Sequence, residues 1–144
     1  LSADARELPV PTNSVDYVIV DPPQLDEVQY FELSFLAGIW LRLKFPFKKE
    51  IIVNPRQKKS EEKYWNMVSE ALSEFVRILK PKRRMTLMLH GETRDYFDRF
   101  GVIVDNLRLK KISKVYREYS FYNGLHRFDK RRLNGDFYLT VQKA

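Results

Sequence analysis

The segment that most restricts the fold is Val15-Asp16-Tyr17-Val18-Ile19-Val20-Asp21-Pro22-Pro23. Its apolar residues run almost without interruption, in the manner of a buried central strand of a parallel sheet. The two prolines stop it, because proline has no N–H to give a ladder. A strand over Asp16–Val20 is therefore expected, with an acid at its carboxyl end.

The rest of the chain supplies helices and further strands. Tyr30, Leu33, Leu36, Trp40 and Leu43 recur at helical spacing behind Asp26, a good N-cap, and Pro46 closes this helix. Phe47 to Lys59 reads as a loop around a short extended piece, Glu50 to Val53. Ser60 caps a second helix whose first turn holds Glu61 and Glu62. Its apolar face is Tyr64, Met67, Val68, Ala71, Leu72, Phe75, Val76 and Leu79, and Pro81 ends it. Met85–Leu89 reads as a second buried strand, and Thr93–Phe100 as a short helix stopped by Gly101. Leu107–Tyr119 alternates apolar and basic residues, a strand with a bulge near Lys111. After a polar loop, Tyr122–Asn134, the strand Asp136–Gln142 pairs antiparallel with its predecessor. This order predicts a single α/β domain over 1–144, with a mixed sheet that is parallel at first and antiparallel at its end.

Composition narrows the classes of function. Lys and Arg outnumber Asp and Glu by 26 to 19, a net charge of +7. That suits a polyanionic partner such as nucleic acid, and equally an ordinary basic protein. The absence of cysteine excludes disulfides, thiolate catalysis and zinc–thiolate sites, and permits a reducing, cytoplasmic location. No metal-ligand set stands out. The longest apolar stretch, Phe31 to Leu43, is interrupted by Glu32, Ser34 and Arg42, too short and polar to span a bilayer, so no membrane partner is expected.

The chemistry concentrates at Asp21-Pro22-Pro23. In open α/β sheets, ligands bind outside the carboxyl ends of strands. An exocyclic base amine offers two N–H donors. A carboxylate and a backbone carbonyl at fixed spacing can accept both and turn the nitrogen lone pair toward an electrophilic methyl group. The competing reading is a strand-ending turn with a capping Asp.

The surroundings of this turn favour the first reading. Ala3-Asp4-Ala5-Arg6-Glu7-Leu8-Pro9 and Ser14-Val15-Asp16 precede it. Val28-Gln29-Tyr30-Phe31-Glu32-Leu33-Ser34, Glu50-Ile51-Ile52-Val53-Asn54-Pro55, Lys58-Lys59-Ser60 and Arg77-Ile78-Leu79-Lys80-Pro81 follow. Together these resemble the adenine-specific DNA methylase-like proteins of archaea and bacteria, one branch of the amino-methyltransferases of DNA whose motif is Asp-Pro-Pro followed by an aromatic. The resemblance covers Leu1 to about Leu89. It implies part of a Rossmann-like methyltransferase fold with a terminal antiparallel strand pair. It also implies S-adenosylmethionine as cofactor, and methyl transfer to adenine N6 or cytosine N4 in DNA with the base flipped out. Asp21, Pro22, Pro23 and Gln24 would form the catalytic turn. Asp4 and Ala5, with Asp21, would lie on the cofactor side, Asp4 near its adenine. From their own position, Lys58 and Lys59 lie in a loop before a helix N-cap near the site, where contact with phosphate and simple solvation are equally open, and Tyr30 is the further candidate for the nucleic acid.

Two departures qualify what the resemblance implies. Gln24 stands where the family has an aromatic that stacks on the flipped base, a contact worth about 1–3 kcal/mol. Its amide can still hydrogen-bond a base edge, and Tyr30 or Phe31 can replace the ring if the helix brings one near. Second, the five glycines stand singly, with no Gly-rich loop to hold the methionine part of the cofactor. The chain is thus expected to be the catalytic half of such a domain, without its N-terminal cofactor-binding part. Its first strand should then pair with a missing N-terminal segment, a second copy or a partner chain. The rival readings are a degenerate, non-catalytic domain that binds nucleic acid or protein, and a methyltransferase of RNA bases. His90 ends the second strand and is read as structural, with a cleft-facing role as the alternative. His126 is read as solvated, and Lys82-Arg83-Arg84 as a solvated turn. Lys110, Lys111 and Lys114, and Arg127, Lys130, Arg131 and Arg132, make two basic clusters interleaved with Tyr116, Tyr119, Phe121, Tyr122 and Phe128. They suit a nucleic-acid surface and a half-buried strand with its loop equally well.

Overall fold

The computed structural model describes residues 3–90, 94–118 and 135–144. The polar loop expected over Tyr122–Asn134, with His126 and the second basic cluster, lies outside these residues. The described elements are β1 (Val15–Val20), α1 (Tyr30–Leu33), α2 (Phe35–Trp40), α3 (Glu61–Ile78), β2 (Leu79–His90), α4 (Arg94–Asn106), β3 (Lys110–Glu118) and β4 (Gly135–Gln142), with short 3-10 turns at Phe47–Lys49 and Pro55–Gln57. The strands form one mixed sheet in the order β1-β2-β4-β3. β1 and β2 are parallel, and β4 runs antiparallel to both β2 and β3. The expected fold class, parallel at first and antiparallel at its end, is what the sheet shows. The expected bulge is present as well: the β3–β4 register slips between Lys111 and Ser113.

Strand alternation divides the sheet into two unlike faces. On one, Val20, Met85, Leu87, Leu89, Leu139 and Val141 join Tyr64, Val68 and Leu72 of α3 and Phe97, Phe100 and Val104 of α4 in the core. An aromatic chain seals the two helices: Tyr64–Trp65, Trp65–Tyr96 and Tyr96–Phe100 have ring centroids 5.0, 5.5 and 5.1 Å apart. On the other face, Tyr17 donates to or accepts from Thr86 at 2.6 Å, and Thr86 pairs with Thr140 at 2.9 Å. Tyr17 and Ile19 are 48% and 67% exposed there. The expectation of a fully buried central strand is therefore corrected. Both long helices pack on the Val18–Val20 face, and β1 is the edge of the described sheet.

Helix boundaries follow caps that the sequence shows only partly. Ser60 Oγ accepts from the Lys63 N–H at 3.2 Å, as expected of the α3 cap. α3 ends at Ile78 and runs straight into β2, which starts earlier than the expected Met85. Pro81 instead lies in a bulge of β2, between the Leu79 and Arg84 pairings with β1, where Lys82 has φ 60°. α4 continues through Gly101 to Asn106, because a helical glycine is tolerated and nothing crowds that position. It stops where the Leu109 N–H returns to the Val104 carbonyl and that of Arg108 to Asp105, with Arg108 left-handed at φ 54°. α2 ends the same way: Leu43 returns to Gly38 and Arg42, at φ 54°, to Ile39. Both are Schellman stops with arginine where glycine is usual.

The expected single helix behind Asp26 is two short ones, separated at Ser34, and Asp26 caps neither. The amino end of α1 is held by Glu50, whose Oε1 accepts the Phe31 N–H at 2.9 Å.

Residues 4–12 are strapped to α3. Arg77 donates to the carbonyls of Leu8 and Val10, and Glu74 accepts the Leu8 N–H. The Arg77 hydrogen bond holds the Glu74 carboxyl down at about 2.

Candidate functional site

Three strand ends converge at one end of the sheet. β1 delivers Asp21 just beyond its carboxyl end, β2 delivers His90 as its last residue, and β4 delivers Asp136 as its second. β1 and β2 are parallel, so Asp21 and His90 emerge on the same side, at the carboxyl edge where open α/β sheets take ligands. Asp136 reaches them because β4 is antiparallel and pairs His90 directly with Asp136.

The three side chains form one line. His90 Nε2 lies 3.0 Å from Asp21 Oδ1, and His90 Nδ1 lies 2.7 Å from Asp136 Oδ1. Exposure falls along it: the Asp21 side chain is 63% exposed, His90 32% and Asp136 7%. The Tyr138 hydroxyl donates to the other oxygen of Asp136 at 3.4 Å. Burial pulls the His90 pKa down, but the hydrogen bond to Asp136 and the charges of Asp136 and Asp21 outweigh it, and the imidazole lies above its ordinary value.

The proline turn is braced from below. The Pro23 carbonyl accepts the hydroxyl of the fully buried Tyr64 at 2.5 Å, and Pro22 is buried. The Pro23 carbonyl is thus already used to anchor the turn to α3. Gln24, half-buried, accepts the Glu27 N–H through its carbonyl, and Leu25 accepts that of Val53. Tyr30 is half-exposed; burial pushes its phenol up, and the carboxylates of Asp21, Glu27 and Glu50 add to that. Tyr30 thus lies within the electrostatic reach of Asp21.

Other residues singled out in the sequence go elsewhere. Lys59 is 1% exposed and donates to the carbonyls of Phe47 and Glu50, with the Glu50 carboxylate 3.8 Å away. Burial lowers its pKa. It is a loop-holding lysine and presents no surface charge, contrary to its expected place at a phosphate or in solvent; Lys58, at φ 55°, stays exposed. Gln29, Glu32, Asn54 and Gln57 form a polar web, in which Asn54 Nδ2 donates to Gln29 and Glu32 at 2.7 and 3.1 Å and Gln57 donates to Glu32. Gln29, Glu50, Asn54 and Lys59, all within the segments that carry the resemblance, thus serve the loop that seats α1.

The two residues expected on the cofactor side, Asp4 and Ala5, are engaged within their own turn. Asp4 is gripped by Arg6 through Nε and Nη2 at 3.0 and 2.8 Å, and that pairing holds its carboxyl below the usual range. Ala5 sits in the tight turn closed by the Glu7 N–H on the Asp4 carbonyl. Among the described residues no glycine lines a loop that could cradle a cofactor. Gly38 faces the Phe45 ring, Gly135 faces the Arg117 carbonyl, and Gly101 is inside α4. The described residues therefore hold no glycine cradle for the methionine part of such a cofactor.

Sequence reading missed the partnership of His90 and Asp136. Its signal was available: each lies at the end of a strand that meets the carboxyl edge of β1.

No protein-family model matches the sequence, and no curated protein matches it. Solved structures do. A protein of Thermus thermophilus assigned as a DNA modification methylase shares 16% identity and a TM-score of 0.60, over 98% of this chain and 52% of its own. It has also been crystallised with S-adenosyl-L-methionine. The cytosine-N4-specific PvuII DNA methyltransferase shares 13% identity and a TM-score of 0.62, over 99% and 48%. The (4+2)-cyclase SpnF shares 11% and 0.51, over 98% and 55%. This chain spans about half the length of these proteins. At such identities the likeness shows the fold, a Rossmann-like methyltransferase fold. The cyclase among them demonstrates that this fold alone does not settle the reaction.

Proposed function

We propose that this chain carries the substrate side of an S-adenosylmethionine-dependent methyltransferase acting on an exocyclic base amine, adenine N6 or cytosine N4, in DNA. The observation that carries the reading is Asp21 beyond the carboxyl end of β1, on a proline turn braced by Tyr64, with one oxygen 3.0 Å from His90 Nε2. S-adenosylmethionine supplies an electrophilic methyl group. This chain's residues supply the rest. Asp21 and the Pro22 carbonyl accept hydrogen bonds from the two amine N–H groups. Together they aim the nitrogen lone pair. The proton that the methylated amine sheds leaves through the exposed carboxylate of Asp21. Tyr30 offers a ring for the flipped base in place of the missing aromatic at Gln24.

Incubation with labelled S-adenosylmethionine and duplex DNA of mixed sequence tests this, alone and with the remaining half of a methyltransferase domain supplied. Incorporation into the base, lost by about 100-fold or more in Asp21→Ala, is expected from the removal of a group acting in the transition state. Methylation unaffected by Asp21→Ala defeats the reading. Methylation of RNA and not DNA keeps the site and changes the substrate.

A second reading has its own support: Gln24 in place of the stacking ring, and the absence of a cofactor cradle among the described residues, fit a non-catalytic nucleic-acid-binding domain. Base-dependent DNA binding with no methyl transfer in the reconstituted domain would favour it.

A further inference from the structure

The line Asp21–His90–Asp136 does more than fill space at the sheet's end. We propose that His90 is a positioning residue of the amine-accepting site: braced by buried Asp136, it holds one oxygen of Asp21 and leaves the other to take the N–H of a base amine. This rests on the amine-accepting reading of Asp21.

The geometry gives the histidine a direction. Asp136 is fixed in the ladder opposite His90 and is only 7% exposed, so Nδ1 has a stationary partner at 2.7 Å. A carboxylate accepts only, so Nδ1 must carry a proton. The state of Nε2 then decides what happens at Asp21. Protonated, Nε2 donates across 3.0 Å and fixes the carboxylate of an otherwise exposed residue. Deprotonated, Nε2 turns a lone pair toward Oδ1, and Asp21 is released to rotate into solvent. Fixing one oxygen matters because a freely rotating carboxylate offers an amine no defined acceptor, whereas a held one presents its second oxygen in a single direction.

Among the described residues, the groups that face this line are few. From β1's end comes Asp21, with Tyr30 in its field; from β4 come Asp136 and Tyr138; on β3, Arg117 pairs with Asp136 in the ladder and Tyr116 feels its charge. The two carboxylates in direct contact favour imidazolium, in agreement with the raised pKa of His90. The held state therefore persists above the ordinary histidine range and is lost as pH rises through the pKa of His90 in the folded protein.

Nucleoside binding and histidine titration, both followed by NMR, test this without requiring turnover. The probes are 2′-deoxyadenosine and 2′-deoxycytidine, against 2′-deoxyinosine and 2′-deoxyuridine, which carry oxygen in place of the amine. The chain has two histidines, so His126→Gln assigns the His90 signal. The expected result is a preference for the amine-bearing nucleosides of about tenfold, the worth of one charge-assisted hydrogen bond. It falls away as pH passes the His90 midpoint. Asp136→Asn should move midpoint and preference together to lower pH, and His90→Gln should leave a weaker preference that no longer depends on pH. The wild-type pH profile needs no variant, so a poorly folding substitution does not remove the test. A preference that Asp21→Ala abolishes, but that stays flat through the His90 titration and survives His90→Gln intact, overturns the role of His90 and leaves the amine site standing. No preference at any pH, or one indifferent to Asp21→Ala, removes the amine site itself and this proposal with it.

Discussion

The helices α3 and α2 are built from the same kind of sequence and meet opposite fates. Both follow an amphipathic pattern in which apolar residues recur at helical spacing. In α3, Tyr64, Met67, Val68 and Leu72 are all 3% exposed or less. In and around α2, Leu36 is 73% exposed, Ile39 54%, Trp40 87% and Leu41 68%. Only the inward-facing Gly38, against the Phe45 ring, is buried there. Periodicity states that a helix has an apolar face. It does not state that the described chain holds a surface to cover it. α3 lies on the core face of the sheet, whereas α1 and α2 are held through polar groups, Glu50 and Asn54, and a satellite cluster of Phe31, Phe35, Phe45 and Phe47 with centroids 5.4–6.5 Å apart. The exposed face of β1, with Tyr17 and Ile19, shares this condition.

The sharpest way to break the comparison is to delete side-chain volume in α3. Leu72 is 1% exposed and sits in the main core. Leu72→Ala should cost about 2–5 kcal/mol, the transfer term plus an unfilled cavity. Urea unfolding followed by far-UV circular dichroism reads this as a lower midpoint at unchanged slope. A loss under about 1 kcal/mol would mean that α3 is no better packed than α2.

The two expected N-caps give a smaller, cleaner contrast. Ser60 Oγ accepts the Lys63 N–H, so Ser60→Ala should cost about 1 kcal/mol. Asp26 caps nothing, and Asp26→Ala should leave the unfolding midpoint where it is. Equal losses would show that Asp26 starts a helix after all.

That contrast shows what was legible in the sequence and what was not. The existence of the four strands, the bulge after Lys111 and the Ser60 cap could be read from local pattern, and the strand directions from the order of elements. The Asp26 cap could not, since an N-cap needs a helix that begins at the next residue, and α1 begins where Glu50, nineteen residues away, accepts the Phe31 N–H. The stops at Arg42 and Arg108 were hidden because arginine pays the left-handed cost that glycine avoids. At the site, Asp21 and its prolines were visible as a contiguous word. His90 and Asp136 are 46 residues apart, and only the antiparallel register of β2 and β4 makes them neighbours. Lys59 failed in the other direction: a charge expected at the surface is buried because two loop carbonyls need a donor.

The smallest expected effect lies on the exposed face. Leu36 is 73% exposed, so Leu36→Ser removes a side chain that is already largely in water. At about 25 cal/mol per Å² of apolar surface buried, little burial remains to lose. The unfolding midpoint of dilute protein should move by no more than the equivalent of about 0.5 kcal/mol, the range of surface substitutions. Its distribution in solution should respond more. Leu36, Trp40 and Leu41 form an apolar surface of the kind that associates, and a hydroxyl in its middle should reduce any concentration-dependent sedimentation of the wild type. A loss of stability comparable with that of Leu72→Ala, at a protein concentration where only monomer sediments, would show that α2 is packed against the chain itself. The contrast between the two helices would then be wrong at its root.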